Sequence, residues 1–131
     1  MNPPFWLSKV AVWAIHGRLL AEHGGASGLR DESLLESALA APVNHFEYSQ
    51  ADVFMLAATY AHALTSNHPF VDGNKRTAFA VAGIFLELNG YRLVATEPDA
   101  VLAVLALSKG ELDAEGFRDW LKISSVNPDN S

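Results

Sequence analysis

Apolar residues recur along the chain in blocks separated by Gly, Pro and short polar stretches, and most blocks have helical spacing. Ser8, Asp31, Asp52, Thr96 and Asp113 each stand at the start of such a block. Their side chains can accept hydrogen bonds from the first free N–H groups of a helix. The fold class predicted from this pattern is all-α, a compact arrangement of six helices. The helices are expected over residues 8–22, 31–41, 52–66, 75–89, 96–109 and 113–122.

The connections follow from the same pattern. Pro42 predicts the end of the second helix, because the residue before a proline disfavours helical conformation. Residues 43–50 have no helical period and are expected to form a loop, and residues 91–95 are expected to form a short extended link. Residues 53–64 and 78–86 are apolar almost all round, and a helix without a polar face is buried on every side. We therefore expect these two helices at the centre of the fold.

Length and composition predict one folded domain. The chain has 131 residues, of which 50% are hydrophobic and 18% are charged, and domains commonly contain about 100–150 residues. We expect a single domain over 1–131, with its core at about 8–123 and a polar tail at 124–131. The longest apolar stretches, near 78–86 and 100–107, are far shorter than the roughly 20 residues of a spanning helix, so no membrane segment is expected.

Charge and cysteine content exclude several functions. Nine basic and 15 acidic side chains give a net charge of −6, so direct nucleic-acid binding is not expected, because it requires a basic surface. The chain contains no cysteine, which excludes disulfides, thiolate metal sites and a cysteine nucleophile. A chain without cysteine suits a reducing cytoplasm, where we expect this protein to be located.

A dense polar run joins the two apolar helices. A polar loop held between rigid core elements is where a functional site is expected. Residues 68–77 read His-Pro-Phe-Val-Asp-Gly-Asn-Lys-Arg-Thr. Lys75 and Arg76 fall in the first turn of a predicted helix, where a cation opposes the helix dipole at a cost of about 0.3–1 kcal/mol. A bound phosphate explains this placement, because the free backbone N–H groups and both cations would then converge on it.

The other residues of the run supply complementary chemistry. Gly73 permits a tight turn and a close approach of the backbone to a ligand, and Asn74 can cap the helix or contact a ligand oxygen. Asp72 is a hard oxygen ligand suited to holding Mg²⁺ against substrate phosphates. His68 is the candidate proton acceptor, and Phe70 is expected to anchor the loop in the core. Together these parts describe a phosphoryl- or nucleotidyl-transfer site.

Each feature alone has a simpler structural explanation. An Asp-Gly-Asn run is commonly a turn, a His before Pro is commonly a loop residue, and Lys-Arg at a helix start can be solvated. Their combination between two buried helices favours function. Among the other histidines, we expect His62 in the core or lining the site, and His16, His23 and His45 at the surface.

The run resembles the motif of the Fic/Doc superfamily, and in particular its Doc ("death on curing") branch. That branch reads His-x-Phe-x-Asp-(Ala/Gly)-Asn-Lys-Arg-Thr-Ala, and residues 68–78 agree with it at every specified position. Residues 24–38, which begin Gly-Gly-Ala-Ser-Gly-Leu-Arg-Asp, also resemble the branch, and the similarity extends over about 10–123. Within this second segment Arg30 and Asp31 could support the site, but we expect them instead to form a helix cap with a local ion pair.

The resemblance implies a mechanism and the residues that carry it. In this superfamily the motif His deprotonates a target hydroxyl, which then attacks a nucleotide phosphate. By resemblance His68 would be the base, Asp72 would hold Mg²⁺ and Phe70 would support the loop. The transferring phosphate and the nucleotide would contact Gly73, Asn74, Lys75, Arg76 and Thr77, with Lys75 and Arg76 also acting in catalysis.

The resemblance further implies a donor, a target and a partner. AMP-transferring members usually have Gly where Lys75 stands and a second Arg where Phe79 stands, so both departures favour transfer of the γ-phosphate of ATP. Doc-type bacterial toxins phosphorylate a threonine of translation elongation factor Tu, which stops protein synthesis. A cognate antitoxin bound in an apolar groove near the site is the expected partner. A loop at 43–50 is expected to act as a flap that docks the target.

Two alternatives stay open. One is transfer of AMP or another nucleotide fragment to a protein hydroxyl, against which Lys75 and Phe79 argue. The other is a non-catalytic Fic-fold module that keeps the fold for partner recognition, against which the intact His68, Asp72 and Asn74 argue.

Overall fold

The computed structural model describes residues 2–130, and within this range the chain forms six α-helices. Two short strands, β1 (Arg92–Leu93) and β2 (Ser125–Val126), pair antiparallel, and a 3₁₀ helix follows at Pro128–Asn130. The all-α prediction is confirmed. The six helices are α1 (Lys9–His23), α2 (Glu32–Ser49), α3 (Val53–Asn67), α4 (Asn74–Leu88), α5 (Glu97–Ser108) and α6 (Ala114–Ile123).

Five of the six helices begin with the caps that the sequence predicts. In each of the five, the side chain before the helix accepts a hydrogen bond from a backbone N–H of the first turn; these caps are Ser8, Asp31, Asp52, Thr96 and Asp113. The sixth helix, α4, follows Gly73 and has no side-chain cap within the described part of the chain. Its first-turn N–H groups therefore remain available to other acceptors.

The predicted end of the second helix at Pro42 is wrong. α2 continues through Pro42 to Ser49, so residues 43–49 are helical and the flap expected at 43–50 is not a loop. Pro42 and Phe46 are both buried, and α2 packs along α3. Burial of this continuous face outweighs the hydrogen bond that a proline cannot donate. Tertiary packing thus overrides the local proline signal.

α3 and α4 form the centre of the fold, as their apolar sequences predict. α3 contacts α2, α4, α5 and α6, and α4 contacts α1, α3, α5 and β1. Tyr60 on α3 and Phe85 on α4 are fully buried against each other, with ring centroids 5.1 Å apart. Burial raises the pKa of Tyr60, whose hydroxyl oxygen accepts a hydrogen bond from the Leu7 N–H. Among the described residues, none of the helices has the length and apolar character needed to span a membrane.

The connection between α4 and α5 is held by the end of the chain. Arg92 pairs with Val126 and Leu93 with Ser125, and the Val94 N–H donates to the Ser124 carbonyl at 2.7 Å. β1 lies within the extended link predicted at 91–95, whereas β2 lies in the predicted polar tail. Part of that tail therefore belongs to the fold.

Candidate active site

The predicted polar run forms the loop between α3 and α4, and a cavity of about 1240 Å³ opens at this loop. We call residues 68–73 the motif loop. One wall of the cavity is polar and consists of the motif loop and the first turn of α4. A second part of the lining, which we call the apolar wall, consists of Phe79, Ala80, Val101, Val104 and Leu105 from α4 and α5. The fold thus brings His68, Asp72, Lys75 and Arg76 to one cavity.

Asn74 closes the motif loop with its side chain. Its Oδ1 accepts a hydrogen bond from the Phe70 N–H at 3.0 Å, and its Nδ2 donates to the Phe70 carbonyl at 2.9 Å. Asn74 is buried and Phe70 is only 1% exposed. Both ends of the amide thus bind the Phe70 backbone, and the backbone N–H of Asn74, in the first turn of α4, has no partner within the helix.

Phe70 is anchored in the core, and His16 of α1 covers one face of its ring. The two ring centroids are 3.7 Å apart and the planes meet at 8°. His16 Nε2 lies 2.8 Å from the backbone oxygen of Asp72, and the nitrogen must be the donor, since a carbonyl only accepts. His16 is 3% exposed, so its predicted surface position is wrong. Its spacing of four residues from the buried Val12 is the sequence signal for this burial.

His68 ends α3 in the left-handed conformation, with φ 49° and ψ 56°. Its side chain is exposed and lines the cavity. The guanidinium of Arg30 reaches its backbone, donating from Nε to the His68 carbonyl at 2.7 Å and from Nη2 to the Asn67 carbonyl at 2.8 Å. The helix cap predicted at Asp31 is present. The guanidinium of Arg30, however, binds the carbonyls at the end of α3, and the described residues show no ion pair between Arg30 and Asp31.

A second segment of the chain, residues 25–31, holds the motif loop from outside, and we call it the clasp. Leu29 forms an antiparallel β-bridge with Phe70. The Val71 N–H donates to the Gly28 carbonyl at 3.0 Å, and the Arg30 N–H donates to the Pro69 carbonyl at 2.7 Å. The clasp lies in the segment whose sequence resembles the Doc branch, and the structure shows that this segment shapes the site.

The carboxylate of Asp72 is held between the motif loop and the clasp. Its Oδ1 accepts a hydrogen bond from the Gly73 N–H at 2.8 Å, and its Oδ2 accepts one from the Ala26 N–H at 3.3 Å. Gly25 has φ +123°, and a Cβ at this position would lie 2.8 Å from Asp72 Oδ2. Only glycine therefore leaves room for the carboxylate in its observed place.

Mg²⁺ fits this carboxylate if phosphate oxygens complete its coordination. Asp72 lines the cavity, and each of its oxygens accepts one hydrogen bond and keeps further lone-pair capacity. Within residues 2–130, no group of three or more His, Cys, Asp or Glu side chains could hold a metal ion. A single carboxylate shared with substrate phosphates is a common way of binding Mg²⁺.

The first turn of α4 concentrates positive charge. Lys75 and Arg76 are exposed on the cavity, and neither forms an ion pair with a described carboxylate. Gly73 has φ +80°, and its carbonyl accepts the first hydrogen bond of the helix from the Thr77 N–H at 3.0 Å. Thr77 itself is fully buried, and its Oγ1 has no partner among the described residues. Its side chain thus faces the core, whereas the exposed side chains of Lys75 and Arg76 line the cavity.

Comparison with known proteins identifies the family. A model of the Fic/DOC family matches residues 6–86. The chain belongs to the Fic/Doc family. It is 30% identical to the protein kinase doc of Escherichia phage P1 over 117 residues, which are 88% of this chain and 92% of that protein. It is 41% identical to the toxin Doc of Mycolicibacterium smegmatis over 81 residues, 55% of this chain and 57% of that protein. Both relatives place it in the Doc branch.

The residues matched by the family model include the polar wall of the cavity and part of its apolar wall. Residues 6–86 include α1, the clasp, α3, the motif loop and the first turns of α4. Val101, Val104 and Leu105 on α5 lie beyond the matched residues. The family match therefore does not include the part of the apolar wall that lies on α5.

The other three histidines, His23, His45 and His62, differ in exposure and in whether they line the cavity. His23 is exposed as predicted, yet it lines the cavity near the end of α1. His62 is exposed on α3 outside the residues that line the cavity, so its expected position in the core or the site is wrong. His45 is half-buried and lies 3.1 Å from the Thr59 hydroxyl, so the surface position expected for it is only partly correct.

Proposed function

We propose that this Doc-branch protein is the toxin of a toxin–antitoxin pair and transfers the γ-phosphate of ATP to a threonine of translation elongation factor Tu, which blocks translation. The observation that carries the proposal is the start of α4. Among the described residues, no side chain caps this helix or pairs with its cations Lys75 and Arg76, which line the same cavity as His68 and Asp72. The names of the two relatives, a protein kinase and a toxin, support the reaction and the role.

His68 is the proposed general base. Its imidazole lines the cavity at the end of a rigid helix, and no hydrogen bond within the described residues engages its ring. A neutral imidazole can take the proton of a threonine hydroxyl while the hydroxyl oxygen attacks the γ-phosphorus. The new O–P bond forms as the bond to the β-phosphate oxygen breaks, ADP leaves, and the proton remains on His68 until it passes to solvent.

The start of α4 is the proposed phosphate cradle. The backbone N–H groups of Asn74, Lys75 and Arg76 point along the helix axis toward the loop, because the first residues of a helix have no carbonyl partner within it. With the two cations, they would stabilise negative charge on the transferring phosphoryl group. Asp72 would hold Mg²⁺, which when bound would offset part of the negative charge of the phosphates. Since the Thr77 side chain is buried, the cradle we propose ends at Arg76.

The apolar wall favours γ-phosphate transfer over AMP transfer. Phe79 stands where AMP-transferring members usually carry a second Arg, and its ring packs toward Trp120 with centroids 6.4 Å apart. An apolar side chain there offers no partner to a second phosphate anion.

The apolar wall continues beyond Phe79, where Val101 is 52% exposed and Val104 is buried. We propose that an amphipathic segment of the cognate antitoxin covers this wall, because apolar anchors at helical spacing suit such a groove.

The test is a transfer assay with purified protein, elongation factor Tu and Mg-ATP. Parallel reactions carry ATP labelled at the γ- or the α-phosphate. The variants are His68→Ala, Asp72→Ala and, as a matched control, His62→Ala, which removes an exposed histidine outside the cavity. We expect γ-label on the threonine with the parent and with His62→Ala, and none with His68→Ala or Asp72→Ala. Label from the α-position would make the protein an AMP-transferase, and no label together with no Mg-ATP binding would favour the non-catalytic module.

A further inference from the structure

The backbone at His68 is in a conformation that histidine does not prefer. A left-handed φ of 49° crowds the Cβ of any residue other than glycine and costs about 1–3 kcal/mol. Glycine is the usual residue at such a helix end. His68, whose imidazole is the proposed base, therefore occupies a position where surrounding residues must hold the backbone in this strained conformation.

Three consecutive carbonyl groups at this helix end are all bound by the clasp. The Asn67 and His68 carbonyls accept from the guanidinium of Arg30 at 2.8 and 2.7 Å. The Pro69 carbonyl accepts from the backbone N–H groups of Arg30 and Asp31 at 2.7 and 3.2 Å. The peptide planes on both sides of His68 are thereby fixed, and Arg30 contributes to the binding of all three carbonyls.

The contact uses the planar fork of the guanidinium. Nε and Nη2 donate in parallel to two neighbouring carbonyls, a geometry that the single ammonium of lysine does not reproduce. The positive charge also lies at the C-terminal end of α3, where the helix dipole favours a cation. Although Arg30 lines the cavity, two of its N–H groups are already committed to the backbone of the helix end.

We infer that Arg30 is a positioning residue for His68: its guanidinium holds the strained backbone of the base, and through that backbone the direction in which the imidazole enters the cavity. The inference rests on the proposed function, because it takes His68 to be the base. A displacement of about 1 Å in a reacting group can reduce the rate about 100-fold. Loss of the guanidinium is thus expected to lower kcat. The binding of ATP at the start of α4 should stay unchanged.

The test compares Arg30→Ala and Arg30→Lys with Arg18→Ala, which removes an exposed arginine of α1 that pairs with Glu22 and lies outside the residues that line the cavity. Steady-state transfer is measured with elongation factor Tu and Mg-ATP, and the free energy of unfolding is measured by urea titration. We expect kcat to fall about 10- to 100-fold in Arg30→Ala, with KM for ATP within about twofold of the parent. Millimolar guanidinium should restore part of this kcat, and Arg18→Ala should match the parent.

Arg30→Lys keeps the charge but carries its donors on a single nitrogen, so its kcat should fall between those of the parent and Arg30→Ala. This variant carries the test if Arg30→Ala does not fold. A parental kcat in both variants would overturn the inference, and so would a raised KM for ATP with unchanged kcat, since that would make Arg30 a phosphate ligand. His68→Ala separates the two levels. If His68→Ala is fully active, the proposed function fails; if it is inactive while both Arg30 variants are fully active, only the positioning role fails.

Discussion

Asn74 links the stability of the protein to the shape of its motif loop, and replacing it tests this link. Asn74→Ala removes both hydrogen bonds to the backbone of Phe70. The Phe70 N–H and carbonyl then lose these partners, and Phe70 is only 1% exposed. Each unsatisfied buried group costs about 1–3 kcal/mol. We expect the free energy of unfolding to fall by about 2–4 kcal/mol, below the sum of the two upper values, because a water molecule entering the space left by the amide would satisfy part of the demand.

Urea denaturation followed by circular dichroism measures this effect. The midpoint should move to lower urea with an unchanged slope, because the surface exposed on unfolding is the same. Asn44→Ala, at an exposed position of α2, is the matched control and should lie within about 0.5 kcal/mol of the parent. If Asn74→Ala lost transfer activity but less than about 0.5 kcal/mol of stability, the side chain would act on the ligand, and its assignment as a loop latch would be refuted.

Three further outcomes follow from the geometry. Gly25→Ala should reduce transfer and stability more than Gly24→Ala, because both positions have positive φ but only a Cβ at Gly25 meets Asp72, at 2.8 Å; equal losses would contradict this. The Ser33 hydroxyl, and then the Leu34 N–H, lower the pKa of Asp31. Its carboxylate therefore stabilises the fold above its unfolded pKa and loses this effect as the pH falls through the lower folded value, so Asp31→Ala should flatten the acid side of a stability–pH curve. Pro42→Ala should raise the free energy of unfolding by about 1 kcal/mol, the net value of the one hydrogen bond that α2 regains. A decrease would show that packing of the proline ring outweighs that bond.

The helix starts could be predicted from the sequence because a cap is a local interaction. Ser8 and Thr96, for example, bond to N–H groups three residues away, and no distant contact alters that choice. The polar run at 68–77 could be identified for a similar reason, since its residues are contiguous. The end of α2 could not be predicted, because the fate of Pro42 depends on the burial of its face against α3.

The support of the site was not predictable from local patterns. For Arg30 the sequence allowed a role in supporting the site but favoured a helix cap with a local ion pair. Its guanidinium instead binds carbonyls 37 and 38 residues further along the chain, and no local pattern indicates these partners. His16 reads as one of several scattered histidines, yet it stacks on Phe70. Spacing along one segment predicts which face is buried, but it does not state which distant segment covers that face.

The contacts that hold the motif loop also determine when the site can form during folding. The hydrogen bonds from Arg30, Ala26 and His16 to the loop close segments of 38, 46 and 56 residues. Closing segments of this length has an entropic cost, which the docking of α1 against α4 and of the clasp against the motif loop offsets. A chain that has formed α3 and α4 alone carries the full motif but not the backbone geometry at His68 and Asp72. Activity should therefore appear only after these long-range contacts are complete, so an incompletely folded copy of the protein would be inactive.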